Sequence, residues 1–314
     1  MSGAGWVEAA RRSALMRRAA AASVATAILL LVVKAWALWQ TDSVSILASL
    51  ADTGLDMAAS LITMFAVRVA TTPADEDHRF GHGKAEAIAA LMQTMLIVMS
   101  AALIAWRAGN RFMDGGAVTA PATGIGVSLF AIFVTLLLVG YQRRVARATG
   151  SIAIETDRLH YQSDLALNVA VILALVLTGF GLPGADALFG LGIALWLAWN
   201  GYRAGRRAVD MLMDREWPEL RRQQLLNLVT MLPDVDGVHE LRTRRAGDTD
   251  FIQFHIWVDP EMTVASAHDI TDRAEAAVRA AYPGAELFIH IDPRGHIADH
   301  EIEEDPPCPP ASAT

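Results

Sequence analysis

The chain holds a single cysteine, Cys308, in the closing stretch EEDPPCPPASAT. One thiol excludes an intramolecular disulfide and any metal site built from several cysteines. Charge is also missing, over long stretches. Six runs of roughly 20 apolar residues follow one another: Ala19–Trp39, Val44–Val67, Ala87–Trp106, Val118–Tyr141, Leu159–Phe180 and Ala185–Tyr202. Six such runs in the first two thirds of a chain that is 53% hydrophobic leave too little polar surface for a soluble protein. They predict an α-helical membrane protein with six transmembrane helices. The first run is too long for the core of a signal peptide, lacks a cleavage site, and precedes five more.

Basic residues are unevenly missing. They gather at Arg11, Arg12, Arg17 and Arg18, at Arg68, Arg79 and Lys84, at Arg143, Arg144 and Arg147, and at Arg203, Arg206 and Arg207. The alternate connections hold only Arg107 and Arg111. By the positive-inside rule, both termini and the even-numbered loops are expected to be cytoplasmic.

The last third is poor in basic charge. Residues 1–209 carry 17 Lys+Arg and 13 Asp+Glu, net +4, and residues 210–314 carry 9 and 21, net −12. An acidic cytoplasmic part lacks the basic footprint that nucleic acid requires, and it suits the attraction of cations. A solvated acidic surface would look the same.

Four segments are expected: a cytoplasmic N-terminal segment over 1–18, a transmembrane domain over 19–209, a cytoplasmic domain over 210–296, and a Pro-rich acidic disordered tail over 297–314. In the cytoplasmic domain, Glu216–Met231 reads as a helix with Pro218 near its start. VHELRTRRAG and DFIQFHIWVD read as strands around a Gly-Asp turn, Ala265–Tyr282 as an amphipathic helix, and AELFIHID as a third strand. The order αββαβ predicts a small ferredoxin-like α+β layer that lacks one strand. Alternation sets Ile252, Phe254, Ile256 and Val258 on one strand face and Gln253, His255 and Trp257 on the other. Likewise Leu287, Ile289 and Ile291 oppose His290 and Asp292.

Against this apolar background, a few polar residues carry the chemistry. SLADTGLDMAAS places Asp52 and Asp56 one helical turn apart in mid-span. Each costs ~2.5–3.5 kcal/mol to insert there, so a compensating partner is required. Thr53 and Ser60 are hydroxyls at hand. LHYQSDLALN in the fifth span puts His160 and Asp164 one turn apart, with Asn168 a turn further. Alone, that pair also fits a proton relay. Together the two spans offer three carboxylates and an imidazole, a donor set that matches tetrahedral Zn²⁺. Neither span carries HExxH, so an intramembrane zinc protease fits poorly. In the loop PADEDHRFGHGKAEA, Asp75, His78 and His82 have metal-ligand spacing, although a solvated polar loop reads similarly. In the cytoplasmic domain, His239, His255, His268, His290 and Asp292 fall where strands and helix converge.

These motifs together, DSVSILASLADTGLD, PADEDHRFGHGKAE, LHYQSD, HELRTR, FIQFHI and FIHIDP, resemble the cation diffusion facilitator family, in its bacterial YiiP/FieF-type branch, over residues 15–295. The resemblance implies a transport site of Asp52, Asp56, His160 and Asp164, the version associated with Zn²⁺ and Cd²⁺. It implies a loop site of Asp75, His78 and His82. It implies a cytoplasmic binuclear site of His239, His255, His268, His290 and Asp292, with Asp292 bridging two ions. It implies an interdomain salt bridge between Lys84 and Asp214, and a homodimer held partly by the cytoplasmic domain. Ile291 departs from the polar residue of close relatives, and His296 and His300 lie off the family positions.

The function expected on this basis is proton-coupled efflux of a divalent metal by alternating access. Zn²⁺ is expected both as cargo and as structural or regulatory ion, and His160 as the proton carrier. Fe²⁺, Mn²⁺ or Co²⁺ as the main cargo, and a metal sensor without flux, are the alternatives.

Overall fold

The computed structural model describes residues 3–41, 44–114, 122–179 and 185–295. The tail with Cys308, His300 and His296, and the connections at 42–43, 115–121 and 180–184, lie outside the described residues. The chain divides into two compact units, Val7–Met213 and a second that begins at Asp214.

The first unit consists of six long helices: α1 (Gly3–Thr41), α2 (Val44–Ala70), α3 (Ala85–Asp114), α4 (Ala122–Thr149), α5 (Ile152–Gly179) and α6 (Ala185–Leu212). Each is longer than its apolar run. α1 begins well before Ala19, because nothing in WVEAARRSALMRR breaks a helix, and α3 carries Arg107 and Arg111 beyond the apolar stretch. Among the described residues, four segments are long and apolar enough to cross a membrane: Ala10–Gln40, Ser49–Ala70, Ala85–Asn110 and Gly126–Thr149.

The burial pattern of this unit is that of a bundle in lipid. Small residues fill the interior, among them Ala19, Ala20, Ala27, Ala59, Ala90 and Ala153, while Phe65, Met95, Phe133 and Leu195 point outward. α3 packs along α6. A Cβ at Gly205 would stand 3.0 Å from Thr94 Cγ2, and one at Gly201 would stand 3.1 Å from Val98 Cγ2. Glycine one turn apart at these two positions is what lets the helices approach so closely.

The second unit is α7 (Glu219–Thr230), β1 (Gly237–Ala246), β2 (Thr249–Val258), α8 (Val264–Ala281) and β3 (Glu286–Pro293). The order is the αββαβ expected from sequence. β1 and β2 form an antiparallel hairpin, and β3 lies parallel to β2 on its other side. In the full split βαβ arrangement another strand would separate the two joined by a crossover helix. Its absence leaves β2 and β3 directly paired.

Alternation holds in β2: Ile252, Phe254, Ile256 and Val258 are buried, and they form the core with Leu225 and Val229 of α7 and Ile270 and Val278 of α8. Burying Phe254 alone stabilises the unit by ~1.5–3 kcal/mol. Both helices therefore cover one face of the sheet. The other face is left to His255, Trp257, His290 and Asp292.

Candidate metal centres

In the first unit, α2 and α5 pack together. His160 Nε2 lies 3.1 Å from Asp56 Oδ1, and both side chains are buried. Asp56, His160 and Asp164 each offer one ligand atom, all within 4.8 Å of one another. Asp164 Oδ2 is buried and accepts no hydrogen bond. A buried carboxylate oxygen left so is costly unless a proton or a cation meets it.

Asp52 is not part of this cluster: it is exposed, one turn along α2. Neighbouring turns hold Cβ atoms about 5–6 Å apart, whereas ions such as Zn²⁺ sit ~2.0–2.2 Å from each ligand. Four-fold ligation needs the Asp52 side chain to swing toward Asp56.

The hydroxyls at hand do not serve the acids. Thr53 Oγ1 accepts from Lys34 Nζ at 2.6 Å and donates to Ser49 C=O, and Ser60 Oγ pairs with Tyr161 Oη at 2.7 Å. Asn168 donates to the Asp164 carbonyl of its own helix.

Sequence reasoning missed Asp157. It lies one turn before His160, fully buried. Oδ2 accepts from Ser23 Oγ and from Gln142 Nε2, both at 2.6 Å. Oδ1 accepts from Gln93 Nε2 at 3.1 Å and from Thr63 Oγ1 at 3.3 Å. One carboxylate thus joins α5 to α1, α2, α3 and α4. The signal in the sequence was faint, a single polar residue in each of four spans.

The loop brings Asp75, His78 and His82 together. Asp75 Oδ1 accepts the backbone N–H groups of Asp77 (3.1 Å) and His78 (2.7 Å), closing an Asx turn. Gly81, at φ +74, turns the chain so that His82 Nε2 reaches within 3.4 Å of Asp75 Oδ2. His78 Nδ1 lies 3.4 Å from Oδ1.

The His78 backbone N–H holds Asp75 below the ordinary carboxylate range, aided by attraction to His82 and His78. The support that Asp75 gives the turn is therefore full above the carboxylate's unfolded value and is lost as pH falls through the lower folded one. We expect the Asp75 carboxyl carbon resonance, followed by NMR against pH, to titrate below the ordinary carboxylate range. Titration within or above that range would contradict it.

In the second unit, His239, His255 and His290 stand in a row across the three strands, His239 opposite His255 and His255 opposite His290. The two oxygens of Asp292 diverge. Oδ2 meets His255 Nδ1 at 2.9 Å and His239 Nε2 at 3.2 Å, and Oδ1 meets His290 Nε2 at 3.2 Å.

A bulge aims His239. Leu241 and Thr243 are buried in the core, so unbroken alternation would send His239 inward too. The register shifts between His239 and Arg242, with Glu240 at φ +48, and His239 turns to the outer face. Glu240 itself approaches His255 Nε2 at 3.8 Å. His268 is not brought to the group. It lies on α8, exposed, beside Asp272 at 3.7 Å. α8 covers the opposite face of the sheet, so within this chain the helix carries His268 away from the histidine row.

The expected partners Lys84 and Asp214 belong to different units. Lys84 Nζ donates to Leu212 C=O at 3.3 Å, and Asp214 accepts from Arg244 at 3.4 Å.

Comparison with known proteins gives two family matches. The cation efflux transmembrane domain matches residues 20–213, and the cytoplasmic domain of cation efflux proteins matches 217–294. The chain is 45% identical over 290 residues to the cation-efflux pump FieF of Yersinia pestis (strain Pestoides F), covering 92% of this chain and 94% of the relative. The FieF of Yersinia pseudotuberculosis serotype O:3 (strain YPIII) gives the same values. A solved structure of CzrB in its zinc form is 31% identical, with a TM-score of 0.26, covering 27% of this chain and 98% of that one.

Proposed function

The chain belongs to the cation diffusion facilitator family, of YiiP/FieF type and devoted to divalent cation efflux, and on that premise we propose that it exchanges Zn²⁺ for protons. In this reading all six long helices span the inner membrane, with both termini cytoplasmic, and the protein works as a homodimer. Asp56, His160 and Asp164 receive the ion, and Asp52 swings in as the fourth ligand.

The observation that carries the proposal is the 3.1 Å contact between His160 Nε2 and Asp56 Oδ1. A hydrogen bond there places a proton between the two atoms, whichever of them carries it. A metal held by both groups must expel that proton, because ligands bind deprotonated. Loading from the cytoplasm releases protons, and rocking of the helices exposes the same atoms to the outer face. Protons there recombine with His160 and the carboxylates, and the metal leaves. The orphaned Asp164 Oδ2 supports the same alternation, since it needs a proton or a cation at every stage.

Zn²⁺ is favoured over Mn²⁺ by the imidazole, and over Fe²⁺ by the usual order of affinity. Zinc flux into proteoliposomes against competing Fe²⁺, Mn²⁺ and Co²⁺ tests the cargo. Preference for one of those ions would displace zinc. Wild-type flux in Asp56→Ala or His160→Ala would displace the site.

In the cytoplasmic domain, the diverging oxygens of Asp292 suit a carboxylate shared by two resident zinc ions, one toward His239 and His255 and the other toward His290. Resident zinc would tie the three strands together and favour the transport-competent dimer. Asp292→Ala is expected to weaken zinc binding there by at least ~10–100-fold. Metal content of the purified full-length variant should fall by the cytoplasmic ions, with the transport-site ion retained. Unchanged content would show that Asp292 is no ligand. The loop trio is assigned as an additional metal site on the family pattern.

A further inference from the structure

A cavity of about 610 Å³ opens where the last turns of α4, the first turns of α5 and the last turns of α6 meet. Its size is that of a small-molecule site, ~300–1,000 Å³. Five guanidinium groups line it, from Arg143, Arg147, Arg158, Arg203 and Arg207, against one carboxylate, Glu155. Glu155 is already committed: Arg158 grips both its oxygens, at 2.7 and 3.0 Å, and also reaches Gln162. Among the described residues, Arg143, Arg147, Arg203 and Arg207 make no hydrogen bond or ion pair. Four unneutralised guanidinium groups around one space repel one another and would be relieved by an anion.

The cavity is not the cation route. A dication would be repelled by its walls. On α5 the lining residues Glu155, Leu159 and Gln162 share one helix face, while Asp157, His160 and Asp164 share another.

We infer that this cavity binds the phosphate headgroup of an anionic phospholipid from the cytoplasmic leaflet. Arginine forks fit phosphate oxygens two at a time. Basic pockets between membrane helices on this side are suited to such headgroups. Lipid is favoured over free phosphate by what lies beside the cavity. Trp196, Asn200, Arg203 and Arg207 line it from one stripe of α6, and Leu188, Leu191, Leu195 and Trp199 form an adjoining exposed apolar stripe. A headgroup in the cavity lays its acyl chains along that stripe. The inference rests on reading α4, α5 and α6 as membrane spans, and on none of the metal sites.

The test is native mass spectrometry of the purified full-length protein titrated with phosphatidylglycerol or phosphatidylcholine. Phosphatidylglycerol should bind about tenfold tighter or more, and Arg147→Gln/Arg203→Gln should remove that preference. Arg144→Gln/Arg206→Gln deletes the same charge at the same helix ends, outside the cavity, and should keep it. If the first variant does not fold, Arg143→Gln/Arg207→Gln asks the same question. Equal binding of the two lipids, or equal loss of preference in cavity and control variants, overturns the inference. Displacement of phosphatidylglycerol by inorganic phosphate would make the cavity a site for a soluble anion and overturn the lipid assignment. Lost lipid preference in the wild-type protein with intact zinc flux would count against this inference alone, and absent zinc flux with intact preference against the transport reading alone.

Discussion

His160→Gln should lower zinc transport at least ~100-fold, the upper end of what even an outer partner of a metal ligand costs. Glutamine spans a similar distance and can still hydrogen-bond Asp56, so the bundle should fold. It offers no imidazole nitrogen, and it has no proton to exchange near neutral pH. The loss should therefore appear in two ways. Zinc affinity falls, and whatever flux remains no longer responds to an imposed pH gradient. Purified variant at normal yield and melting temperature, assayed in proteoliposomes, checks both. A variant that transports at the wild-type rate, still driven by the gradient, would remove His160 from the site.

The second large effect is on stability. Asp157→Ala removes the shared acceptor of four buried donors, Ser23, Thr63, Gln93 and Gln142, leaving Ser23 to the Ala19 carbonyl, Thr63 and Gln93 to the Ala59 carbonyl, and Gln142 to Ser23 Oγ. Each hydrogen bond lost is worth ~0.5–1.5 kcal/mol net, so the four together should cost at least ~2 kcal/mol. Ser23→Ala, which removes one donor and leaves the carboxylate, should cost far less. Thermal unfolding in detergent, read by loss of the monodisperse size-exclusion peak, compares the two. Because the network ties α5 to four other helices, Asp157→Ala should also broaden the transition. Equal melting temperatures for Asp157→Ala and wild type would mean the network contributes little.

The two cases show which parts of the molecule a sequence can disclose. Asp56, His160 and Asp164 stand out because each is a charge or imidazole in an apolar run, at helical spacing from another such group. Their convergence follows once α2 and α5 pack. Asp157 has the same residue type, but its partners are single polar residues scattered over four helices. Only packing reveals them as one network. Asp52 has the right spacing and still lies outside the cluster, since one helical turn separates it from Asp56 and side-chain conformation decides the rest.

In the cytoplasmic domain the order of elements and the inward face of β2 follow from alternation and turn residues. The outward aim of His239 does not. It depends on a bulge at Glu240 that alternation cannot anticipate. His268 is the complementary case. Its helix position is legible, but the face of the sheet that α8 covers is a matter of topology, and it is the face opposite the histidines.

The account rests on a metal and a proton competing for the same atoms of Asp56, His160 and Asp164. The most direct measurement is zinc movement into proteoliposomes at equal zinc on both sides, with an acidic lumen. Zinc should accumulate inside, the lumen should become more alkaline in step, and a protonophore, which dissipates the gradient itself, should abolish the zinc accumulation. Zinc that merely equilibrates, at a rate indifferent to the direction of the pH gradient, would contradict the exchange mechanism.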